Sequence, residues 1–233
     1  MFSYYGSKSK IAHLYPPPKF ETVIEPFAGS AKYALLHWKK EVILCDLSPL
    51  IVRVWKYLQQ ASKTDILGLP RLKRGESLKD FELSKEETEF LGFVIAPGNA
   101  YPRFKMSPFG AKHAKSKNGI NTIEYIASNL HRIKHWQVYE CDYRALPNIN
   151  ATWFVDPPYQ RAGYKYPFNK IDYSELAQWI TDRNGQTIAC EQYGADWMNF
   201  KPLAKLNGTS GTTMEAIWSN MPTNYDYQQM KMF

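Results

Sequence analysis

Two periodicities alternate along this chain. Short runs dense in β-branched and apolar residues read as strands: Thr22 to Ile24, Glu41 to Cys45, Gln137 to Cys141, Thr152 to Val155, Thr187 to Glu191 and Met214 to Trp218. Between them apolar positions recur every three or four residues. Tyr33 to Trp38 fits one helix, and Leu50, Ile51, Val54, Trp55 and Leu58 mark a second, opened by Ser48 as N-cap and Pro49 at the first helical position. Asp172-Tyr173-Ser174-Glu175 caps a third that runs to about Asp182. Strands alternating with helices predict an α/β fold, a doubly wound and mostly parallel sheet with its ligand along the carboxyl edge. Four of those strands run out onto an acid: Glu25, Asp46, Asp142 and Asp156.

From about Thr64 to Ile133 the strand pattern stops. Ser84-Lys85-Glu86-Glu87 reads as a capping box opening a short helix that Pro97-Gly98 ends, and Ile120 to Ile133 reads as another helix. Residues 64–133 are therefore expected to be a mainly helical insertion, with 1–63 and 134–233 forming the sheet domain. The insertion carries Arg71, Lys73 and Arg74, then Arg103, Lys105, Lys112, Lys115 and Lys117 interleaved with Tyr101, Phe104 and Phe109. Cations beside aromatic rings suit phosphate contacts and base stacking.

Composition narrows the class. With 233 residues, 44% of them hydrophobic, the chain can bury a sizeable core. No run of about 18 apolar residues occurs, so no membrane span is expected, and the first residues lack a signal-peptide pattern. Cys45, Cys141 and Cys190 are odd in number and far apart, each in a strand-like run, which predicts small buried hydrophobes in a reducing cytosol rather than disulfides. Lys+Arg 29 against Asp+Glu 22 gives a net charge of +7, which favours a polyanionic partner.

The chemistry concentrates at Asp156-Pro157-Pro158-Tyr159, at the end of the most apolar strand. An ionised carboxylate and the Pro157 carbonyl can only accept hydrogen bonds, and Tyr159 adds a flat face. Two acceptors and a stacking surface match the exocyclic NH2 of an extruded base. Upstream, Glu25-Pro26-Phe27-Ala28-Gly29-Ser30-Ala31 is a small-residue turn between strand and helix, suited to bringing backbone N–H groups to a ligand. Asp46 follows Gly29 by roughly twenty residues, the spacing of an acid that accepts ribose hydroxyls. In Tyr4-Tyr5-Gly6-Ser7-Lys8, Gly6 permits close backbone approach and Lys8 can bind a carboxylate. Tyr164, Tyr166 and Phe168 form an aromatic loop placed to cover a site.

Taken together, these motifs resemble the Dam-type DNA adenine-N6 methyltransferases over nearly the whole chain and in the family's order. Tyr4 to Lys8 is similar to the N-terminal cofactor motif, Glu25 to Ala31 to the EPFxGxG loop, and Glu215 to Asn220 to the late strand ending in Ser-Asn. Ala31 stands where the second glycine of that loop is usual, filled if the helix packs slightly farther off; Ser7 likewise replaces a glycine. The resemblance implies a seven-stranded Rossmann-like sheet, S-adenosylmethionine as cofactor and no metal. It implies that Tyr4, Tyr5, Gly6, Lys8, Glu25, Pro26, Phe27, Gly29, Ser30, Asp46, Leu47, Asp142 and Tyr143 hold the cofactor, with Asp46 on the ribose and Asp142 on the cofactor adenine. Asp156, Pro157, Pro158 and Tyr159 are then catalytic, and Arg71, Lys73, Arg74, Arg103, Lys105, Lys112, Lys115, Lys117 and Tyr164 contact DNA. The expected partners are double-stranded DNA and a cognate restriction endonuclease, and the expected location is the cytoplasm or nucleoid, not a membrane and not outside the cell.

The chemistry agrees with that implication. The amino nitrogen of adenine is a weak nucleophile whose lone pair is delocalised, so a catalyst must orient it and stabilise the charge it acquires. Rival reactions lack their residues: no proline precedes a cysteine, which removes cytosine-C5 methylation and zinc deamination. Cytosine-N4 enzymes usually start the tetrapeptide with Ser and protein-glutamine enzymes with Asn. The alternatives that stay open are a cytosine-N4 DNA methyltransferase and a catalytically silent DNA-binding homologue.

Overall fold

A computed structural model describes residues 1–113, 122–208 and 211–222. Seven strands form one sheet: β1 (Thr22–Glu25), β2 (Glu41–Asp46), β3 (Gln137–Glu140), β4 (Ala151–Val155), β5 (Gly185–Gln192), β6 (Lys201–Gly208) and β7 (Gly211–Ser219), in the order β3-β2-β1-β4-β5-β7-β6. The first five pair in parallel; β7 runs antiparallel to β5 and to β6. Order reverses between β1 and β4, and the Glu25 turn and Asp156 emerge there side by side.

Alternation along the strands makes two cores. Val23, Leu44, Phe154, Ile188 and Cys190 face one side, where they meet α1 (Lys32–Leu36), α2 (Pro49–Gln60) and α4 (Lys85–Ile95). Ile24, Cys45, Trp153, Val155 and Ala189 face the other, against Leu176 and Ile180 of α7 (Tyr173–Thr181). The expected doubly wound sheet is therefore present, and β4, buried at all five positions, is its centre.

In the described part of 64–133 the regular elements are all helical, joined by irregular loops and one isolated bridge, Ser77 to Lys105. A short helix, α3 (Lys63–Gly68), begins at a Ser62–Asp65 capping box; α5 (Pro108–His113) and α6 (Thr122–Asn129) follow α4. Ile66, Leu78, Phe90 and Phe93 belong to the same core as Phe2 and Trp55, so these helices pack onto the sheet domain.

Several expectations need correction. β6 was not foreseen: Lys201, Pro202 and Lys205 dilute its apolar pattern, and a proline is tolerated there because the strand is at the sheet edge, with a register shift between Pro202 and Ala204. Ser48 stands at the N-cap of α2 but makes no side-chain cap; its backbone N–H instead donates to Asp46 Oδ1 at 2.9 Å. The helix expected over 120–133 is α6 followed by a 3-10 turn at Leu130–Arg132. Cys45 and Cys190 are buried, but Cys141 falls one residue past β3 and is only partly buried. The capping box at Ser84 and Glu87 is present in both directions, at 3.2 and 2.8 Å.

Ala31 shows why its position favours glycine. It adopts left-handed backbone, φ +43°, directly before α1, so the constraint is conformational rather than a matter of helix spacing. An L-residue in that region costs roughly 1–2 kcal/mol, partly offset by the lower unfolded-state entropy of Ala. Ala31→Gly is therefore expected to stabilise the protein by about 0.5–1 kcal/mol, read as a higher urea midpoint at constant m-value; an unchanged or lower midpoint would contradict the strain.

Candidate active site

A cleft of about 270 Å³ runs along the carboxyl ends of β1, β2 and β4. Three segments frame it: the N-terminal loop Tyr4 to Lys8, the turn from Glu25 to Ala31, and the loop Tyr166 to Ile171 that precedes α7. All thirteen residues expected from sequence to hold a cofactor line it, together with Asp156 and Pro158; Pro157 and Tyr159 do not.

The turn after β1 is held by the acids at the strand ends. Asp46 Oδ2 accepts the Gly29 N–H and Oδ1 that of Ser48, both at 2.9 Å, which leaves further lone pairs on each oxygen. Burial raises the Asp46 carboxyl to about 6, opposed by those two backbone donors. Glu25 Oε1 accepts the Ala34 N–H at 2.7 Å, and burial pushes Glu25 up to about 8, so it is mostly neutral at pH 7. Gly29 has φ +45°, and a Cβ there would stand 3.2 Å from the Tyr4 ring.

On the far wall, Asp142 caps a 3-10 turn, accepting from Arg144 N at 2.9 Å and from Arg144 Nη1 at 2.8 Å. The same guanidinium forms two bonds to Glu175, at 2.7 and 2.9 Å, tying this wall to α7. Phe27 and Tyr143 have ring centroids 5.3 Å apart. The third wall closes on the first: Tyr166 donates to the Tyr5 carbonyl at 3.0 Å, and a Cβ on Gly6 (φ +71°) would lie 2.1 Å from the Tyr166 hydroxyl. Sequence placed Tyr166 and Phe168 over a site, and both line the cleft. Tyr164, by contrast, is 72% exposed and lies off it.

Asp156 is engaged in a way the sequence does not announce. Lys8, itself buried, donates to Asp156 Oδ1 at 2.7 Å, so the carboxylate that Lys8 binds is the protein's own. The Lys8 ammonium also sits 4.8 Å from the centre of the Tyr159 ring and 3.9 Å from Glu215 Oε1. Glu215, on β7, accepts from Tyr15 at 2.7 Å and from the Tyr159 hydroxyl. The Pro158 carbonyl accepts from Tyr173 at 2.8 Å, which fixes the tetrapeptide to the start of α7. Burial raises the carboxyls of Asp156 and Glu215, in each case opposed by Lys8, while the two carboxylates together raise Lys8. Glu215 and Tyr15 were missed as site residues because each lies in an ordinary strand or loop pattern far from the tetrapeptide, and Tyr173 because it opens an ordinary capped helix.

The two basic stretches of the insertion meet. Gly75 N–H donates to the Met106 carbonyl, Met106 N–H to Glu76 and Leu78 N–H to Phe104, at 3.1, 2.9 and 2.7 Å. This short ladder sets Lys73 and Arg74 beside Arg103 and Lys105, all exposed, with Lys79 over the Phe104 ring. Arg71 is partly engaged, donating to the Leu69 carbonyl at 2.6 Å. The Lys112 side chain, Lys115 and Lys117 lie outside the described residues.

Comparison with known proteins adds the family. The fold is similar to the solved structures called "Putative methyltransferase yhhF from Escherichia coli" (9% identity, TM-score 0.39, covering 87% of this chain and 76% of that one) and "putative methylase HI0767 from Haemophilus influenzae" (12%, 0.37, 86% and 80%). No curated protein matches the sequence. The model of the D12 class N6 adenine-specific DNA methyltransferases matches residues 4–195, a span that holds the N-terminal loop, the glycine turn, Asp46, Asp142 and the Asp156 tetrapeptide. The chain belongs to that family, whose members transfer a methyl group from S-adenosylmethionine to N6 of adenine in DNA.

Proposed function

We propose that the cleft holds S-adenosylmethionine and that Asp156, at its inner end, receives the amino group of an adenine extruded from DNA. The observation that carries this reading is the Lys8–Asp156 contact at 2.7 Å, which joins the N-terminal cofactor loop to the end of β4 in one site. The donor set suits the cofactor. Asp46 retains lone pairs for ribose hydroxyls, Asp142 offers an acceptor for an amino group, and Phe27 and Tyr143 supply apolar faces for a planar base. The cofactor supplies an activated methyl group on a sulfonium. The chain supplies orientation and charge: Asp156 and the Pro157 carbonyl accept the two N6–H bonds, turning the nitrogen lone pair outward, and Asp156 offsets the positive charge that develops on nitrogen. Tyr159, anchored through its hydroxyl to Glu215, would bound the base on one face. Calorimetric titration with S-adenosylmethionine tests the cofactor part; absence of binding to the folded protein would overturn it.

The same proposal divides the chain into a cofactor-binding catalytic unit, 1–63 and 134–233, and a recognition region, 64–133. In its support, every strand of the sheet lies outside 64–133 among the described residues. The exposed pair Arg103 and Lys105 would contact phosphates alongside Lys73 and Arg74, and Lys112, Lys115 and Lys117 are proposed as DNA contacts from the sequence alone. Neutralising Arg103 and Lys105 together should flatten the salt dependence of duplex binding by about two units of slope, for cognate and random DNA alike. An unaltered slope would show that the ladder is merely solvated. The reading extends to action at the nucleoid beside a cognate restriction endonuclease, supported by the family's DNA substrate. Among the described residues no helix is long and apolar enough to cross a membrane.

A further inference from the structure

We propose that Glu215 is a positioning residue of the methyl-transfer centre, the second carboxylate that keeps the buried Lys8 ammonium paired while Asp156 takes up the proton that leaves N6. This inference rests on the reading of Asp156 given above.

Lys8 is 6% exposed and stands between two acids, 2.7 Å from Asp156 and 3.9 Å from Glu215. Glu215 is itself 4% exposed, and two tyrosine hydroxyls hold it in place, Tyr15 from the N-terminal segment and Tyr159 from the tetrapeptide. Cys190 on β5 and Tyr166 on the covering loop also face the group, and both are neutral because burial raises their pKa. Two further acids lie near Asp156: Glu25, pushed up to about 8, carries little charge at pH 7, and Glu191 on β5, raised by burial, is held by the N–H groups of Gln160 and Gln192 and by Trp197. With both acids ionised, the set of Lys8, Asp156 and Glu215 bears one net negative charge, and two of its members, Lys8 and Glu215, are buried. A buried charge without a partner is strongly unfavourable.

The family's reaction moves one positive charge into contact with this set. Once N6 carries the methyl group it also carries a surplus proton and a positive charge. The N–H electron pair stays on nitrogen, and the proton passes to a lone pair of an Asp156 carboxylate oxygen. Protonated Asp156 no longer balances Lys8. Glu215 does so without crossing the site, because it already lies beside the same ammonium. The set passes from one net negative charge to neutral, and the buried ammonium keeps a carboxylate beside it throughout. A lone Asp156–Lys8 pair would instead leave Asp156 a poorer proton acceptor, since the ammonium would hold its carboxylate in the ionised form.

Glu215→Gln separates this role from a structural one, because the amide oxygen can still accept both tyrosine hydroxyls while the charge is gone. The expected result is a fall in kcat of about ten-fold or more with little change in KM for cofactor or DNA, and an acid limb of the kcat profile displaced to lower pH. A near-wild-type kcat, or a lowered kcat whose acid limb does not move, would overturn the proposal. A second variant keeps the charge: Glu215→Asp should hold kcat within a few-fold of wild type and leave the acid limb in its wild-type position. A folded Glu215→Asp enzyme with kcat lowered ten-fold or more would overturn the proposal even if Glu215→Gln did not fold. Full activity of Asp156→Asn would instead remove the reading on which this rests.

Discussion

Replacing Asp156 by Asn is expected to lower turnover by about 10²-fold or more while leaving DNA affinity nearly unchanged. The substitution keeps the size of the side chain but replaces a charged acceptor with a neutral amide, one end of which is a donor that would face N6–H if turned inward. The structure adds a second reason for the loss. Lys8 donates to Asp156 at 2.7 Å from a buried position, so the variant also weakens the partner of a buried ammonium. The tetrapeptide itself should keep its place, because Tyr173 holds the Pro158 carbonyl and Glu215 holds the Tyr159 hydroxyl independently of Asp156. Some residual rate is expected from the Pro157 carbonyl, an acceptor that no side-chain substitution removes. Single-turnover kinetics with saturating DNA reads the effect, and full activity in the variant would contradict the mechanism.

Asp46→Ala is expected to weaken S-adenosylmethionine binding by about ten-fold or more, since a charge-assisted hydrogen bond contributes about 1.5–3 kcal/mol. The carboxylate has two duties. It would accept ribose hydroxyls, and it holds the glycine turn through the N–H groups of Gly29 and Ser48. The variant therefore loses a ligand contact and loosens the turn that shapes the cleft. The pH dependence follows from the raised carboxyl of Asp46, about 6 in the folded protein. Above that value the group is ionised and acts only as an acceptor. As pH falls through about 6 it is protonated, and affinity for the cofactor should fall with it. In Asp46→Ala that dependence should vanish from the same window. Unchanged affinity by calorimetry, with the fold intact, would remove Asp46 from the site.

What the sequence made legible was whatever is local in the chain. β4 announces itself as five consecutive residues buried on both faces, and the tetrapeptide follows it without a gap. Asp46 and the glycine turn belong to one strand-helix-strand unit, so their spacing already encodes their proximity. The cleft residues expected from motif order accordingly converge on one cavity. Pairings across long separations were not legible. Lys8 and Asp156 are 148 positions apart, and Tyr15 and Glu215 are 200 apart. Nothing in the local pattern of β7 distinguishes Glu215, on an antiparallel strand inserted between β5 and the edge, from a solvent-facing acid. The same limit applies to the ladder that brings Gly75 to Leu78 against Phe104 to Met106, where two basic clusters separated in sequence become one surface. At Ala31 the sequence showed a missing glycine, but only the backbone torsion gave the reason.

The most direct test of the account is to identify the product. The wild-type protein is incubated with duplex DNA and S-adenosylmethionine labelled in the methyl group, the DNA is digested to nucleosides, and the labelled nucleoside is identified by mass spectrometry. The expected result is label in N6-methyladenine, abolished or strongly reduced in Asp156→Asn. Label in N4-methylcytosine, or only in protein or RNA, would contradict the account.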